Sequence, residues 1–293
     1  MHHYKESLGT RIYVAVSYII VTVFGLLCIY PFLHVLAVSF SSKAAASAGI
    51  VNIIPVGFNL NAYDFVTKGG EFVTAFWVSV KRTVLAVIIS MAMIILAGYP
   101  LSKTKKQFSC RNFYMWFFVF TMLFGGGLIP TYIVISKLKL IDSIWALILP
   151  SCVPVYYLIL FQNYVKSLPE ELCEAAYIDG ANEANVLFKI ILPLSKPMLA
   201  TLVLFIAVNH WNAWFDGMIY MNRSVNYPLQ TYLQTLVVEV NLKSVTSLGD
   251  VANIAPQNTK CAQIILAMLP IIVVYPFLQK YFTKGIVMGS VKG

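Results

Sequence analysis

Two asparagines and two tryptophans stand close together in the sequence NHWNAW at residues 209–214, near the end of an apolar stretch. Amides hydrogen-bond to hydroxyl groups, and aromatic rings stack on the apolar faces of sugars. If the stretch crosses a membrane from Pro197, 12 residues at about 1.5 Å each put Asn209 about 18 Å deep, past the midplane of a core of about 30 Å. Asn209, Trp211 and Asn212 are therefore candidate substrate-pathway residues. An interfacial aromatic belt is the alternative, and it is favoured for Trp214.

Motifs for covalent or metal chemistry are absent from the sequence. It contains no GxxxxGK[ST] phosphate loop, no GxSxG and no HExxH. Its five cysteines are scattered, without a CxxC pair or a His/Cys cluster, so neither a zinc site nor a disulfide framework is indicated. We therefore expect no catalytic site, no metal site and no cofactor in this chain. Any ATP hydrolysis coupled to it must be performed by another chain.

The composition is that of an integral membrane protein. Of the 293 residues, 59% are hydrophobic and only 11% are charged, whereas about a quarter of the residues in a soluble domain are charged. The net charge of +9 would suit nucleic acid, but the basic residues lie at the ends of apolar runs, where they orient a membrane protein. Membrane lipid is therefore an expected partner and nucleic acid is not.

Six apolar runs approach or exceed the length of about 20 residues that a membrane-spanning helix needs, and they predict an all-α protein with six transmembrane helices. The runs cover residues 12–38, 77–101, 113–135, 144–164, 197–215 and 262–282. Residues 41–75 and 216–260 are predicted to form polar loops. A cleaved signal peptide is the alternative for the first run, because Lys5 and Arg11 precede it. The run is, however, about twice as long as the apolar region of such peptides.

One of the runs contains residues that interrupt a helix, and another contains charged residues. Gly125–Gly127 and Pro130 interrupt the third run. They predict either a pathway-lining bend, with Gly126 and Pro130 as candidate pathway residues, or a close packing site for another helix. In the second run, Lys81 and Arg82 lie near enough to the start for their side chains to reach the membrane interface, and a role in the pathway is the alternative.

A mostly hydrophilic segment, residues 167–197, separates the fourth and fifth runs. Its first part predicts a short helix with Ser167 as N-cap and acidic residues in the first turn. Gly180 is predicted to end that helix in the left-handed conformation, Asn182 to cap a second helix, and Pro193 to stop it. An ordered hairpin between two spans is typical of a surface to which another protein binds. An amphipathic segment lying on the membrane is the alternative.

This segment resembles the EAA loop of the membrane subunits of ABC importers. The residues that match in order and spacing are Glu174, Ala175, Ala176, Asp179, Gly180, Ala181, Phe188, Ile190 and Pro193. The resemblance implies a type I importer permease fold of the MalG and MetI kind. Residues 12–293 would then form the transmembrane domain, with a coupling loop at 167–197 that docks in a cleft of a separate ATPase subunit.

The same resemblance assigns roles within the coupling loop. Glu174 would face a basic group of the ATPase, while Ala175 and Ala176 would allow the two surfaces to approach closely. Gly180 would make the turn between the two helices, and Phe188 would anchor the second helix against the membrane domain. The implied partners are a homologous second permease, a dimer of ATPase subunits that bind ATP and magnesium, and an extracytoplasmic binding protein.

Other segments resemble the carbohydrate branch of these importers. Residues 280–293 are similar to the carboxyl end of MalG-type permeases, and the sequences at 125–132 and 144–150 resemble permeases for complex oligosaccharides, of the LplC and YtcP kind. The resemblance implies a bacterial cell-membrane permease that imports a carbohydrate, most simply an oligosaccharide. An importer of another solute, such as a polyamine or glycerol phosphate, is one alternative. An ion-driven secondary transporter is another, although no acidic residue lies in the middle of an apolar run.

The lysine and arginine placement indicates the orientation of the chain. With residues 167–197 in the cytosol, the inner segments hold 12 of the 21 basic residues and the outer segments hold 9. The inner loops are shorter and carry more basic residues per unit length, as the positive-inside rule requires. Both termini, including the amino end at residues 1–11, are therefore expected in the cytosol.

Overall fold

The computed structural model describes residues 8–243 and 257–289, with the side chains of residues 9–236 and 257–276. Every regular element in these ranges is helical, in agreement with the predicted all-α class. The chain divides into two compact units. The first comprises the described parts of Met1–Gly70 and Leu236–Leu266, and the second comprises those of Glu71–Thr235 and Ala267–Gly293.

The first unit begins with a long apolar helix, α1 (Leu8–Ser39), followed by the short helices α2 (Lys43–Ser47) and α3 (Asn61–Lys68). The most apolar part of α1 has no residue buried within the protein, so this surface is available to lipid or to another protein. The prediction of a loop over residues 41–75 is wrong in part. Local capping is the reason, since the Ser42 hydroxyl accepts a hydrogen bond from a backbone amide of α2.

The second unit begins with α4 (Glu71–Ser102). The helices that follow along the chain are α5 (Arg111–Leu123), α6 (Leu128–Lys137), α7 (Ile144–Ile148), α8 (Val155–Ser167), α9 (Glu171–Ile178), α10 (Glu183–Val186), α11 (Leu192–Leu194), α12 (Lys196–Asn212), α13 (Phe215–Tyr220), α14 (Leu229–Lys243) and α15 (Gln257–Gly289). Short 3₁₀ turns cover Leu149–Ser151 and Ser224–Asn226, and a π-helical segment, Leu187–Ile191, joins α10 to α11.

The described residues hold three helices that could cross a membrane unbroken, or up to six spans if each of three bent pairs counts as one. The unbroken ones are Gly9–Ser39, Glu71–Ser102 and Gln257–Pro276. The bent pairs are α5 with α6, Ile144–Ser151 with α8, and Glu183–Leu194 with α12, at angles of 112°, 48° and 78°. The predicted runs fall on apolar helices, but the fifth run, residues 197–215, covers α12 and not Glu183–Leu194, which lies in the hydrophilic segment.

The sharpest of these bends falls at the predicted glycines. Gly125–Gly127 separates α5 from α6, and Gly127 has a φ of +84°, a backbone conformation that residues with a Cβ rarely adopt. Pro130 lies in the first turn of α6, where its missing N–H is not needed by the helix. The predicted interruption is confirmed. The pathway role of Gly126 and Pro130 stays a prediction.

The prediction of a polar loop over residues 216–260 is wrong in part, because this region contains α13, α14 and the start of α15. Its apolar residues recur at helical spacing, and Leu229 at the start of α14 is fully buried. The tail at residues 280–293 is helical as far as Gly289. Residues 290–293 of the tail and 1–7 of the amino end lie outside the described residues.

The core of the second unit lies where α4, α8 and α12 meet. Ile94, Leu158, Phe161 and Leu202 have no exposed surface there. Gly98 allows α4 to come close to α8, since a Cβ at this position would lie 2.7 Å from Cδ1 of Phe161. Pro100 follows two residues later, yet α4 continues to Ser102 because this packing holds its last turns.

Replacing Gly98 with valine is expected to lower the free energy of unfolding by about 1–3 kcal/mol, the usual cost of overfilling a core. The Phe161 ring is enclosed and cannot move away from the added methyl groups. Gly25→Val is the matched control, because a Cβ at Gly25 in α1 meets nothing within 4 Å. Thermal unfolding of both purified variants in detergent measures the difference. Equal melting temperatures would contradict the proposed packing.

Candidate functional site

The hydrophilic segment forms a hairpin of two short helices, α9 and α10, joined by a tight turn. Gly180 has a φ of +80°, the left-handed conformation predicted for it. The Asn182 side chain accepts a hydrogen bond from the backbone amide of Asn185 at 2.8 Å, which is the predicted N-cap. These two local predictions are confirmed.

The predicted start of the first helix is wrong. Ser167 is the last residue of α8, and its hydroxyl donates to the Tyr164 carbonyl at 2.7 Å instead of capping α9. Helix α9 begins at Glu171, and Glu170 precedes it without a side-chain cap. Ser167 satisfies a carbonyl of its own helix, a local alternative that competes with capping.

The predicted stop at Pro193 is also wrong. Pro193 lies inside α11, and the chain changes direction by 78° only after Leu194. The preceding π-helical segment, Leu187–Ile191, alters the hydrogen-bond register, so a proline is accommodated without ending the helix.

The residues predicted to meet the ATPase lie on the outer side of the hairpin. Glu174, Ala175, Asp179 and Gly180 are exposed, and α9 has no buried residue. Ala176 and Ala181 are half-buried and pack on the core of the second unit, and Pro193 is exposed. The exposed surface of α9 therefore combines small and acidic side chains with two larger apolar ones, Leu172 and Ile178, of which Ile178 is 86% exposed.

The inner side of the hairpin is held by apolar residues of its second half. Val186, Leu187 and Ile191 are buried in the core formed by α4, α8 and α12. Phe188 was predicted as the anchor, but it is 60% exposed and borders an open groove beside Pro100. The reason is helical geometry, because Leu187 and Ile191 share the inward face and Phe188 points away from it.

A polar cluster also connects the hairpin to the end of α4. The Glu183 carboxylate accepts hydrogen bonds from the Tyr99 hydroxyl at 2.5 Å and the Tyr177 hydroxyl at 2.9 Å. The Lys103 ammonium lies 3.0 Å from the same carboxylate and donates to the Tyr177 hydroxyl at 2.7 Å. It also sits 4.6 Å from the centroid of the Tyr99 ring. We call these four residues the Glu183 cluster.

The charges of this cluster stabilise one another. Burial opposes the charged form of Lys103, but its hydrogen bonds to Tyr177 and Glu183 outweigh burial and hold the pKa of Lys103 above its usual value. Burial likewise opposes the carboxylate of Glu183, but the hydrogen bonds from Tyr99, Lys103 and Tyr177 lower the pKa of Glu183. Both shifts favour the ionised pair. Sequence reasoning missed the cluster because Tyr99 and Glu183 are 84 residues apart.

The predicted pathway residues near the end of α12 differ in exposure. Asn209 and Asn212 are exposed. Trp211 is buried, its indole N–H donates to the Ala267 carbonyl at 3.1 Å, and its ring meets Phe76 edge to face. The Trp211 side chain therefore serves helix packing in this conformation, whereas the two amides are free to face a pathway or a partner.

Beyond α12, a buried ion pair connects the chain to α4. Arg82 is 1% exposed, and its guanidinium makes two bonds to the Asp216 carboxylate and one to the Ala213 carbonyl. The prediction that Arg82 reaches the interface is therefore wrong, whereas the neighbouring Lys81 is exposed. The reason is the partner supplied by α13, which compensates the charge inside the protein.

Metal-binding groups are not found in the part of the chain that the structure describes. No three His, Cys, Asp or Glu side chains there converge on one point. The five cysteines are free, and they lie in separate elements.

The apolar spans and the hairpin define a multi-pass membrane protein with an exposed hydrophilic hairpin between two of its spans. Residues 94–288, which include this hairpin, match the family described as the inner membrane component of binding-protein-dependent transport systems. The chain belongs to this family.

Individual relatives match over almost the whole chain. A Bacillus subtilis protein, the polygalacturonan/rhamnogalacturonan transport system permease protein YtcP, is 38% identical over 97% of this chain and 99% of its own length. Protein LplC of Bacillus subtilis is 41% identical over 92% of this chain and 91% of its own length. The crystal structure of a bacterial ABC transporter involved in the import of the acidic polysaccharide alginate contains a chain with a TM-score of 0.87 and 30% identity. The similarity covers 95% of this chain and 99% of that one.

Proposed function

We propose that this chain is one permease subunit of a bacterial ATP-driven importer, and that it translocates an oligosaccharide delivered by an extracytoplasmic binding protein. The observation that carries the proposal is the similarity to two proteins at 38% and 41% identity over more than nine tenths of the chain, one of them named as a permease for polygalacturonan and rhamnogalacturonan. The likeness to a chain of an alginate importer supports the same class of cargo.

The proposed complex contains a homologous second permease and two ATPase subunits. ATP and magnesium bind to those ATPase subunits, since this chain has no phosphate loop. Helix α5 has no buried residue, which leaves apolar surface for lipid and for the second permease. The hairpin and both termini face the cytosol, as the distribution of basic residues favours.

In this proposal the ATPase moves the permease through the hairpin. Glu174 faces a basic group of the ATPase, and Ala175 and Gly180 let the two surfaces come close. Closure of the ATPase dimer pulls on α9 and α10, which transmit the motion to the core of α4, α8 and α12. The pathway residues carried forward are Asn209 and Asn212 of α12, with Gly126 and Pro130 at the bend before α6.

The substrate class is tested with the purified four-subunit complex and its binding protein. We expect ATP hydrolysis to rise when the binding protein is loaded with an oligosaccharide from a panel of neutral and acidic sugars. Spermidine and glycerol 3-phosphate serve as the competing solutes. Stimulation by either of these solutes and by no oligosaccharide would contradict the proposed substrate.

A further inference from the structure

Helix α9 is only partly buried against the membrane helices. It has no buried residue, and a cavity of about 130 Å³ lies beneath it. The side chains lining this cavity come from α4, α8 and the residues just after each, from α9 and from the π-helical segment, and include Lys103, Val165, Leu168, Cys173, Tyr177 and Ile191. Packing alone therefore leaves room for α9 to shift relative to α4 and α8.

The Glu183 cluster bridges this loosely packed space with polar contacts. Tyr177 comes from α9, Glu183 is the first residue of α10, and Tyr99 and Lys103 lie at and just beyond the end of α4. The Lys103 side chain is only 14% exposed, whereas that of Glu183 is 64% exposed, so the contact is held by three converging hydrogen-bond donors and not by burial of the carboxylate. A displacement of α9 must carry α4 with it or break these bonds.

The second half of the hairpin does not need such a connection. Val186, Leu187 and Ile191 already fix α10 and the π-helical segment in the core. Through Tyr177, the polar cluster thus connects α9, which has no buried anchor and carries the exposed Glu174 and Ala175, to α10 and to the end of α4.

We propose that Glu183 is a positioning residue that makes α9 and the end of α4 move as one body, so that the pull of the ATPase reaches the membrane spans. This inference rests on the proposed function for its role in transport, but the mechanical connection itself does not. Without the carboxylate, the hydrogen bond from Lys103 to the Tyr177 hydroxyl would alone connect α9 to the end of α4, and α4 would follow the ATPase less closely. ATP would then be hydrolysed with less transport per ATP.

The first test uses hydrogen exchange of the purified full-length chain in detergent. In Glu183→Gln we expect backbone amides of α9 to exchange about tenfold faster, because bonds to a charged acceptor are roughly twice as strong as neutral ones. Asp64→Asn is the matched control, since it also removes a carboxylate paired with a lysine, at 3.1 Å on an exposed part of α3. Unchanged exchange of α9 in Glu183→Gln would overturn the mechanical connection whatever the chain transports.

The second test measures oligosaccharide imported per ATP hydrolysed by the complete transporter in vesicles. We expect Glu183→Gln to lower this ratio about fivefold or more, with the amount of co-purified ATPase within twofold of wild type. The double variant Lys103→Glu, Glu183→Lys should recover most of the ratio, because tyrosine hydroxyls both donate and accept hydrogen bonds.

The outcomes of the two tests separate the two claims. If Glu183→Gln imports as much oligosaccharide per ATP as the wild type, the role of Glu183 in coupling is overturned. The same holds if less ATPase co-purifies with the variant while the amount imported per ATP does not fall. Faster exchange of α9 in a protein whose wild type shows no substrate-stimulated ATP hydrolysis would refute the proposed function and leave the mechanical connection standing.

Discussion

Replacing Gly180 with tryptophan is expected to reduce the ATPase that co-purifies with this chain at least about tenfold, a loss of about 1.4 kcal/mol or more in binding free energy. Gly180 forms the exposed turn of the hairpin, and a Cβ added there meets no atom of the chain within 4 Å. The added Cβ therefore meets no steric obstacle within the chain, and we expect the bulk of tryptophan to fill space that a docked ATPase needs. Recovery of the ATPase from co-expressed, affinity-tagged permease measures the effect.

Gly180→Ala is the matched control for this prediction. Both variants place a Cβ on a backbone with a φ of +80°, at a cost of about 1–2 kcal/mol, but only tryptophan adds bulk. We expect the alanine variant to retain most of the ATPase. An equal loss in both variants would assign the effect to backbone strain. Full recovery with tryptophan would show that the ATPase does not bind at this turn.

Replacing Asp216 with asparagine is expected to lower the free energy of unfolding by about 3–5 kcal/mol, the usual cost of leaving one charge of a buried pair uncompensated. The Arg82 side chain is 2% exposed, so water does not reach the guanidinium that loses its counter-charge. Arginine also stays protonated and cannot escape the penalty by titration. Thermal unfolding of the purified variant in detergent measures the loss.

The control for this prediction uses the unequal exposure of the Arg82 and Asp216 side chains. The Asp216 side chain is 27% exposed, so Arg82→Met leaves a carboxylate that water can still reach and should cost less than Asp216→Asn. The double variant Arg82→Met, Asp216→Leu should recover most of the stability, since apolar pairs often replace buried ion pairs at little cost. Equal losses in the two single variants would contradict the described burial of Arg82.

The sequence allows the parts of the hairpin that depend on local chemistry to be predicted. Gly180 and Asn182 adopt the predicted turn and cap because a left-handed glycine and an asparagine N-cap require only neighbouring backbone. The break at Gly125–Gly127 follows from the same local rule. The apolar runs correctly locate the apolar helices, although they do not predict the bends of 48° and 78° that precede α8 and α12.

Contacts between distant residues lie beyond such reasoning. Arg82 and Asp216 are 134 residues apart, and Lys103 and Tyr177 are 74 apart, so nothing local pairs them. The errors at Ser167 and Pro193 have a related cause. Each position has a competing local geometry, a bond to the preceding turn or a π-helical register, and tertiary packing of the hairpin decides between them.

The central claim is that an external ATPase moves this chain through the hairpin at residues 167–197, and uptake into proteoliposomes tests it most directly. The vesicles contain this permease and its partner permease, with ATP enclosed, and labelled oligosaccharide with binding protein is supplied outside. The account predicts uptake only when the ATPase subunits are also present, and its loss in Gly180→Trp. Uptake at an undiminished rate without the ATPase, driven by a proton or sodium gradient, would contradict it.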